Sequence, residues 1–257
     1  MKKVTAFVGS ARKKNTYKAK MQFMDNLQKV GDVDCEMIRL SDYHLGICRG
    51  CQLCFMKGEA YCPLKDDRDV LFDKINASDG VIFATPNYTW DLSGMMKVFL
   101  DRFGSTVHRP RYFGKAFTSI VSQATGRGKN IVEYFDFTAK TLGFNTLKGI
   151  TITGFDARTG KQEQKIDRDL EEHSRRFYDF LEKPSYPEPS LFQLLMFTFS
   201  RKAVKQMANP ENIDYQYYAS KGWLESEYYY PTHLNPMKRT ASHLLESIAD
   251  TVKNILI

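Results

Sequence analysis

The 257-residue chain predicts an α/β fold: a doubly wound, five-stranded parallel sheet of order 2-1-3-4-5, with a mainly helical C-terminal extension. Three observations carry that expectation. Short, nearly continuous apolar runs alternate with longer amphipathic segments through the first 180 residues, the pattern of parallel strands covered on both faces. A polar loop, GSARKKNTYK, follows the first apolar run and opens the first helix. A proline-rich stretch, KPSYPEPS at 183–190, then separates this region from an aromatic tail.

Each element has its own signal. Lys3–Val8 reads as a buried strand, and Thr16–Val30 as a helix with Phe23, Leu27 and Val30 on one face. Cys35–Leu40 reads as a second strand and Asp66–Asn76 as a helix. Gly80–Thr85 is a third strand, and Leu92–Phe103 a helix with Met95, Met96, Phe99 and Phe103 at core spacing. Ala116–Ser122 is a fourth strand, followed by a helix at Asn130–Leu142 with Gly143 as its C-terminal stop. Thr146–Thr153 is a fifth strand and Lys161–Leu181 a long polar helix. Beyond the linker, Ser190–Met207 reads as a helix, 209–235 as aromatic and turn-rich, and Met237–Ile257 as an amphipathic helix. The expected domains are therefore 1–182 and 183–257, the second packing on the first or on a second subunit.

Composition narrows the function. Hydrophobic residues are 42% and charged residues 26%, as in ordinary soluble domains. No apolar run reaches the roughly 20 residues of a membrane span. The N-terminal apolar run stops at Gly9-Ser10, too short for a signal peptide, so a cytoplasmic location is expected. The net charge is +7, with a dense group at Arg12, Lys13, Lys14, Lys18 and Lys20. That group is either a solvated face or an attractor of anions. No nucleic-acid-binding signature is present, so no nucleic-acid partner is expected.

Ligands of doubly wound sheets sit at the carboxyl ends of the strands. Three loops share that rim. The first offers Ser10, Arg12, Asn15 and Thr16 beside a helix N-terminus, which suits one phosphate monoester. It matches neither the dinucleotide glycine fingerprint nor a Walker loop. A helix start capped by Asn15 or Thr16 is the plainer reading. The second loop, after the third strand, holds Pro86, Asn87, Tyr88, Thr89 and Trp90; the third, SQATGRGKN, holds Thr125, Gly126 and Arg127. A phosphate site beside two aromatics and an amide-rich loop suits a flat, polar-edged ring with a phosphate tail, such as FMN.

Taken together, Gly9-Ser10-Ala11-Arg12, Asn15-Thr16, Pro86, Tyr88, Gly94, Lys97, Phe99, Asp101-Arg102 and Thr125-Gly126-Arg127-Gly128 resemble the flavodoxin-like NADPH-dependent FMN reductase and iron–sulfur flavoprotein family. The resemblance covers residues 1–155. It implies FMN as cofactor and NAD(P)H as co-substrate, with Ser10, Arg12, Asn15 and Thr16 on the phosphate. It places Pro86, Asn87, Tyr88, Trp90, Thr125, Gly126 and Arg127 around the ring, and it implies a homo-oligomer, a dimer or larger. Ala11 stands where the family often has proline. The reaction implied is hydride transfer from NAD(P)H through FMN to a quinone, nitro compound or flavin, with no catalytic side chain nominated.

Four of the five cysteines lie in CRGCQLCFMKGEAYC: Cys48, Cys51, Cys54 and Cys62. Three readings compete: a [4Fe–4S] cluster on four thiolates, a metal-free packed loop, or a zinc site or disulfide. The iron–sulfur flavoproteins resemble the first of these. A cluster there would make the chain an electron carrier taking electrons from a ferredoxin-like donor. A flavin-binding sensor or scaffold with little turnover is the third function considered. Cys35, inside a strand pattern, reads as a buried apolar residue.

Overall fold

The structure is a computed structural model, and it describes residues 1–154, 159–183, 185–207 and 209–240. Its elements in chain order are β1 (Lys2–Val8), α1 (Asn15–Val30), β2 (Val33–Arg39), α2 (Leu53–Met56), α3 (Arg68–Asn76), β3 (Gly80–Tyr88), β4 (Asp91–Leu92), α4 (Gly94–Asp101), α5 (Gly104–His108), β5 (Ala116–Gln123), α6 (Gly128–Leu142), β6 (Asn145–Thr146), β7 (Ile150–Thr153), α7 (Gly160–Leu181), α8 (Leu191–Met207) and α9 (Ile213–Ser220). From residue 241 onward, the helix expected at Met237–Ile257 lies outside the described residues.

These elements gather into two units. The first comprises Met1–Gly50, Leu64–Phe103 and Pro110–Ser185; the second comprises Cys51–Pro63, Gly104–Arg109 and Tyr186–Ile257.

The first unit holds the sheet, in the order β2-β1-β3-β5-β6, with β7 continuing beside β5. The long pairings are parallel, from Lys2↔Val33 to Val8↔Arg39 and from Gly80↔Ala116 to Pro86↔Ser122. Counting the β6–β7 edge as one strand, this is the expected 2-1-3-4-5 order. Apolar side chains fill both faces. One face packs Phe7, Phe83, Phe99, Phe117 and Phe135; the other packs Val4, Phe23, Leu27, Ile82, Ile120, Leu170 and Phe177. The order reverses between β1 and β3, which opens a crevice at their carboxyl ends.

Four of the departures from the sequence expectation have a local reason. The third strand runs on to Tyr88 and turns back through β4, so the next helix starts at Gly94 behind the N-cap Ser93, whose Oγ accepts from the Met96 N–H. The 66–76 helix starts at Arg68 because the carboxylates of Asp66 and Asp67 are engaged by the N–H groups of Gly46 and His44, at 2.8 and 2.7 Å. The edge strand is broken: Phe117 pairs with Thr146 and Ile120 with Ile150, so three steps on β5 face four on the edge, a one-residue bulge. A Cβ at Gly149, within the bulge, would lie 2.1 Å from Ser119 Oγ. A helix, α9, stands in the 209–235 stretch read as turn-rich; Asn212 caps it by accepting from the N–H groups of Asp214 and Tyr215.

Arg102 corrects an expectation. Its place at the end of α4 suggests surface or interface. Instead it is buried against Asp66, also donating to the Gly46 carbonyl at 3.1 Å. Burial alone would raise the Asp66 carboxyl. Hydrogen bonds from Arg102 and from the N–H groups of Gly46 and Arg68 hold it below the usual carboxylate range. The neighbouring pair Lys97–Asp101 is exposed, as expected.

The second unit packs Leu194, Phe197 and Val204 of α8 with Tyr218, Trp223, Tyr228 and Leu234. Its aromatic rings meet edge-to-face, Trp223 and Tyr229 at 4.7 Å and Phe197 and Tyr229 at 4.6 Å. The buried indole N–H donates to the Tyr229 carbonyl at 2.7 Å. The aromatic tail is thus a core of its own.

Candidate functional site

The crevice of the first unit is a cavity of about 310 Å³ lined by residues of all three rim loops. From the first loop come Ser10, Arg12, Lys14, Asn15 and Thr16; from the second, Pro86, Asn87 and Tyr88; from the end of β5, Ser122, Gln123 and Ala124. A second hollow of about 250 Å³ is lined by Asn87, Thr89, Trp90, Ala124 and Thr125. Asn87 and Ala124 border both. Cavities of this size suit a small cofactor.

The first loop is held close to the sheet. The Gly9 N–H donates to the Ala84 carbonyl at 2.8 Å, and the Gly9 carbonyl accepts from Ser93 Oγ at 2.6 Å. A Cβ at Gly9 would stand 2.8 Å from both Met96 Cβ and Ser93 Oγ, so only glycine permits this approach. Helix α1 then begins at Asn15. No side chain at its N-cap, Lys14, bonds the helix start, and no acidic residue occupies its first turn. The capping role considered for Asn15 or Thr16 is therefore not the one they take. Thr16 is buried, and its hydroxyl lies 2.5 Å from that of Ser122 on β5. The dipole end of α1, with Ser10, Arg12 and Thr16 around it, favours an anion.

The second loop is a two-residue hairpin. Asn87 pairs with Leu92 and Tyr88 with Asp91, leaving Thr89 and Trp90 at the tip with φ of 51° and 68°. Positive φ at both tip positions is the hairpin turn that matches strand twist, at a cost for residues with a Cβ. The strained tip holds Tyr88 and Trp90 outward, 43% and 55% exposed. Arg12 crosses back to this loop and donates to Tyr88 Oη at 2.8 Å. Asn87 Nδ2 donates to the Gly126 carbonyl at 3.0 Å, tying the second loop to the third. Arg127 ends that loop with φ of 70° and precedes α6.

Ser10, Arg12, Asn15, Thr16, Pro86, Asn87, Tyr88, Thr89, Trp90 and Thr125 thus border one pair of adjoining hollows, with Gly126 and Arg127 joined to them through Asn87 and the start of α6. Sequence reasoning passed over Lys14, Ser122, Gln123, Ala124 and Gly154, which also line the larger cavity. Gln123 is the instructive omission. It accepts from the Gly128 N–H at 2.7 Å and donates to Thr153 Oγ1 at 3.0 Å, fixing the third loop from a position inside the strand. This cationic, hydroxyl-rich end and aromatic end fit FMN.

The cysteines do not form a comparable centre. Cys48 and Cys51 are exposed, Cys54 and Cys62 half-buried, and none of the five cysteines is in a disulfide. Among the described residues no three His, Cys, Asp or Glu side chains are grouped to hold a metal ion. As placed, Cys48, Cys51, Cys54 and Cys62 do not fit a four-thiolate group. A helical turn, α2, and a 3-10 turn at Glu59–Tyr61 intervene along the segment. Cys35 is half-buried on β2, its thiol pushed up to about 11 by burial and the nearby Asp34 and Asp25. Among the described residues no helix is long and apolar enough to cross a membrane.

Comparisons with known proteins agree with this geometry. Residues 2–153 match the model of the NADPH-dependent FMN reductase family. An iron–sulfur flavoprotein of Archaeoglobus fulgidus is 29% identical over 228 residues, covering 86% of this chain and all of the relative. One from Clostridioides difficile is 26% identical, covering 80% of this chain and 90% of the relative. The solved NAD(P)H:quinone oxidoreductase from Methanothermobacter marburgensis superposes with a TM-score of 0.55 at 16% identity, over 68% of this chain and 96% of that one; at that identity it shows the fold. The chain therefore belongs to the NADPH-dependent FMN reductase family and is a flavodoxin-like, NAD(P)H-dependent FMN oxidoreductase.

Proposed function

We propose that the chain passes reducing equivalents from NAD(P)H to a small acceptor, such as a quinone, a nitro compound or a free flavin. The observation that carries this is the exposed aromatic tip, Tyr88 and Trp90, beside the larger cavity: a flat, open surface where two ring substrates take turns. Bound FMN supplies the hydride chemistry. The chain's own residues do the rest. Ser10, Arg12, Asn15 and Thr16 hold the phosphate at the start of α1. Pro86, Asn87, Tyr88, Thr89 and Trp90 border the ring on one side, and Thr125, Gly126 and Arg127 on another. Arg12 links the two ends through Tyr88. No side-chain acid is assigned a proton, since the reacting groups are the two cofactors and the acceptor. Steady-state oxidation of NADPH and of NADH with a quinone tests this. Flavin-loaded protein that turns over with neither would leave the sensor or scaffold reading in its place.

A second reading rests on the cysteine spacing and on the two relatives called iron–sulfur flavoproteins. It makes the chain an electron carrier fed by a ferredoxin-like donor. It requires the Cys48–Cys62 loop to rearrange, as metal binding and local folding are commonly coupled. Anaerobic purification with iron, sulfide, zinc and flavin assays on one sample decides between the two.

A further inference from the structure

Within the second unit one side chain gathers three stretches distant in sequence. Arg109 is 2% exposed. One of its terminal nitrogens donates to Asp214 on α9. The other donates to the Cys54 carbonyl at 2.6 Å and lies 3.4 Å from a Glu59 carboxylate oxygen. Beside it the rings of Phe55 and His108 sit 4.5 Å apart, and His108 Nδ1 is 3.0 Å from the second Asp214 oxygen.

The segment Cys51–Pro63 lies beside α5 and α9, with Phe55 next to Gly104 and Gly58 next to Ile213. Neither α2 nor the Glu59–Tyr61 turn contains a buried residue. Gln52 takes a positive φ of 60°, a conformation that costs a residue with a Cβ, while Gly58 takes 105° freely. A segment that buries no apolar side chain gains no order from a core of its own. The guanidinium fork and the Phe55 contact tie it to α5 and α9. A buried arginine is in turn held only while its carboxylate partner remains.

We propose that Arg109, anchored by Asp214, is the positioning residue for the cysteine segment, fixing how Cys54 and Cys62 are presented and coupling their reactivity to α9. The test is site-resolved alkylation by N-ethylmaleimide, read by mass spectrometry on the full chain. In Arg109→Met and Asp214→Asn, alkylation of Cys54 and Cys62 is expected to rise on the order of tenfold or more. Cys51, already exposed, and Cys35, on β2, keep their rates. Arg109→Lys is expected to release Cys54 as well, because a compact ammonium lacks the fork that serves Asp214 and the Cys54 carbonyl together. Unchanged Cys54 and Cys62 rates in the first two variants would overturn the proposal. So would full protection in Arg109→Lys, which would reduce the role to charge alone. Amide exchange along α8, followed in the same samples, separates local release from loss of the whole unit. Exchange that rises there as much as in Cys51–Pro63 would make Arg109 a general core residue and also overturn it.

Discussion

Arg12 donates a hydrogen bond to Tyr88 across 76 residues of sequence, at 2.8 Å, its guanidinium carbon 5.6 Å from the centre of the phenol ring. The cation of the first loop is thus held by the aromatic of the second, and both line the larger cavity. Arg12→Ala should weaken FMN binding roughly tenfold, the loss of one charge-assisted contact. Tyr88→Phe should have a smaller effect in the same direction, by freeing Arg12. Flavin fluorescence titration checks both; unchanged affinity in Arg12→Ala would move the phosphate elsewhere.

Gly9→Ala should lower both stability and flavin affinity. The added methyl group meets Met96 and Ser93 at 2.8 Å, and relief requires the loop to move off Ala84. Overpacking of this kind costs about 1–3 kcal/mol. Urea unfolding with and without FMN measures the two effects separately.

Thr89→Gly should stabilise the protein by about 0.5–1 kcal/mol, because the strain of positive φ in a residue with a Cβ exceeds the entropy glycine loses. Trp90→Gly relieves the same strain but removes the exposed indole. It should lower kcat/KM with a quinone roughly tenfold if stacking orients the acceptor. A thermal melt and a steady-state assay of each variant suffice.

His173, on α7, sets a pH dependence. Burial pushes its imidazole down to about 4, with Arg176 acting in the same direction. The unfolded chain binds a proton near pH 6.5, whereas the folded form refuses it until about pH 4, so stability should fall as pH drops through that window. The full loss is about 3 kcal/mol. The urea midpoint should decline between pH 7 and pH 4, and His173→Gln should flatten that slope.

Much of this was readable in the residues. Near-continuous apolar strands imposed a parallel sheet, and the polar residues of GSARKKNT do line one cavity with the second loop. What the sequence withheld depends on distant partners. Nothing local marks Arg102 as buried, because Asp66 lies 36 positions earlier. Nothing local separates Arg109 from Arg111, which is only half-buried. The hairpin at Thr89-Trp90 lacks the Asn-Gly signal of such turns, so the residue pattern alone starts the helix at Leu92. Gln123 reads as a residue of the third loop until its two partners are seen.

The bulge between β6 and β7 bears on how copies of this chain meet. An outer strand in steady register offers neighbours an unbroken ladder of amides and carbonyls. Here that ladder misses a rung where Thr146 gives way to Ile150, and Gly149 packs so closely on Ser119 that no side chain fits there. A twin molecule extending the sheet along this border would meet that gap, which disfavours edge-to-edge pairing there.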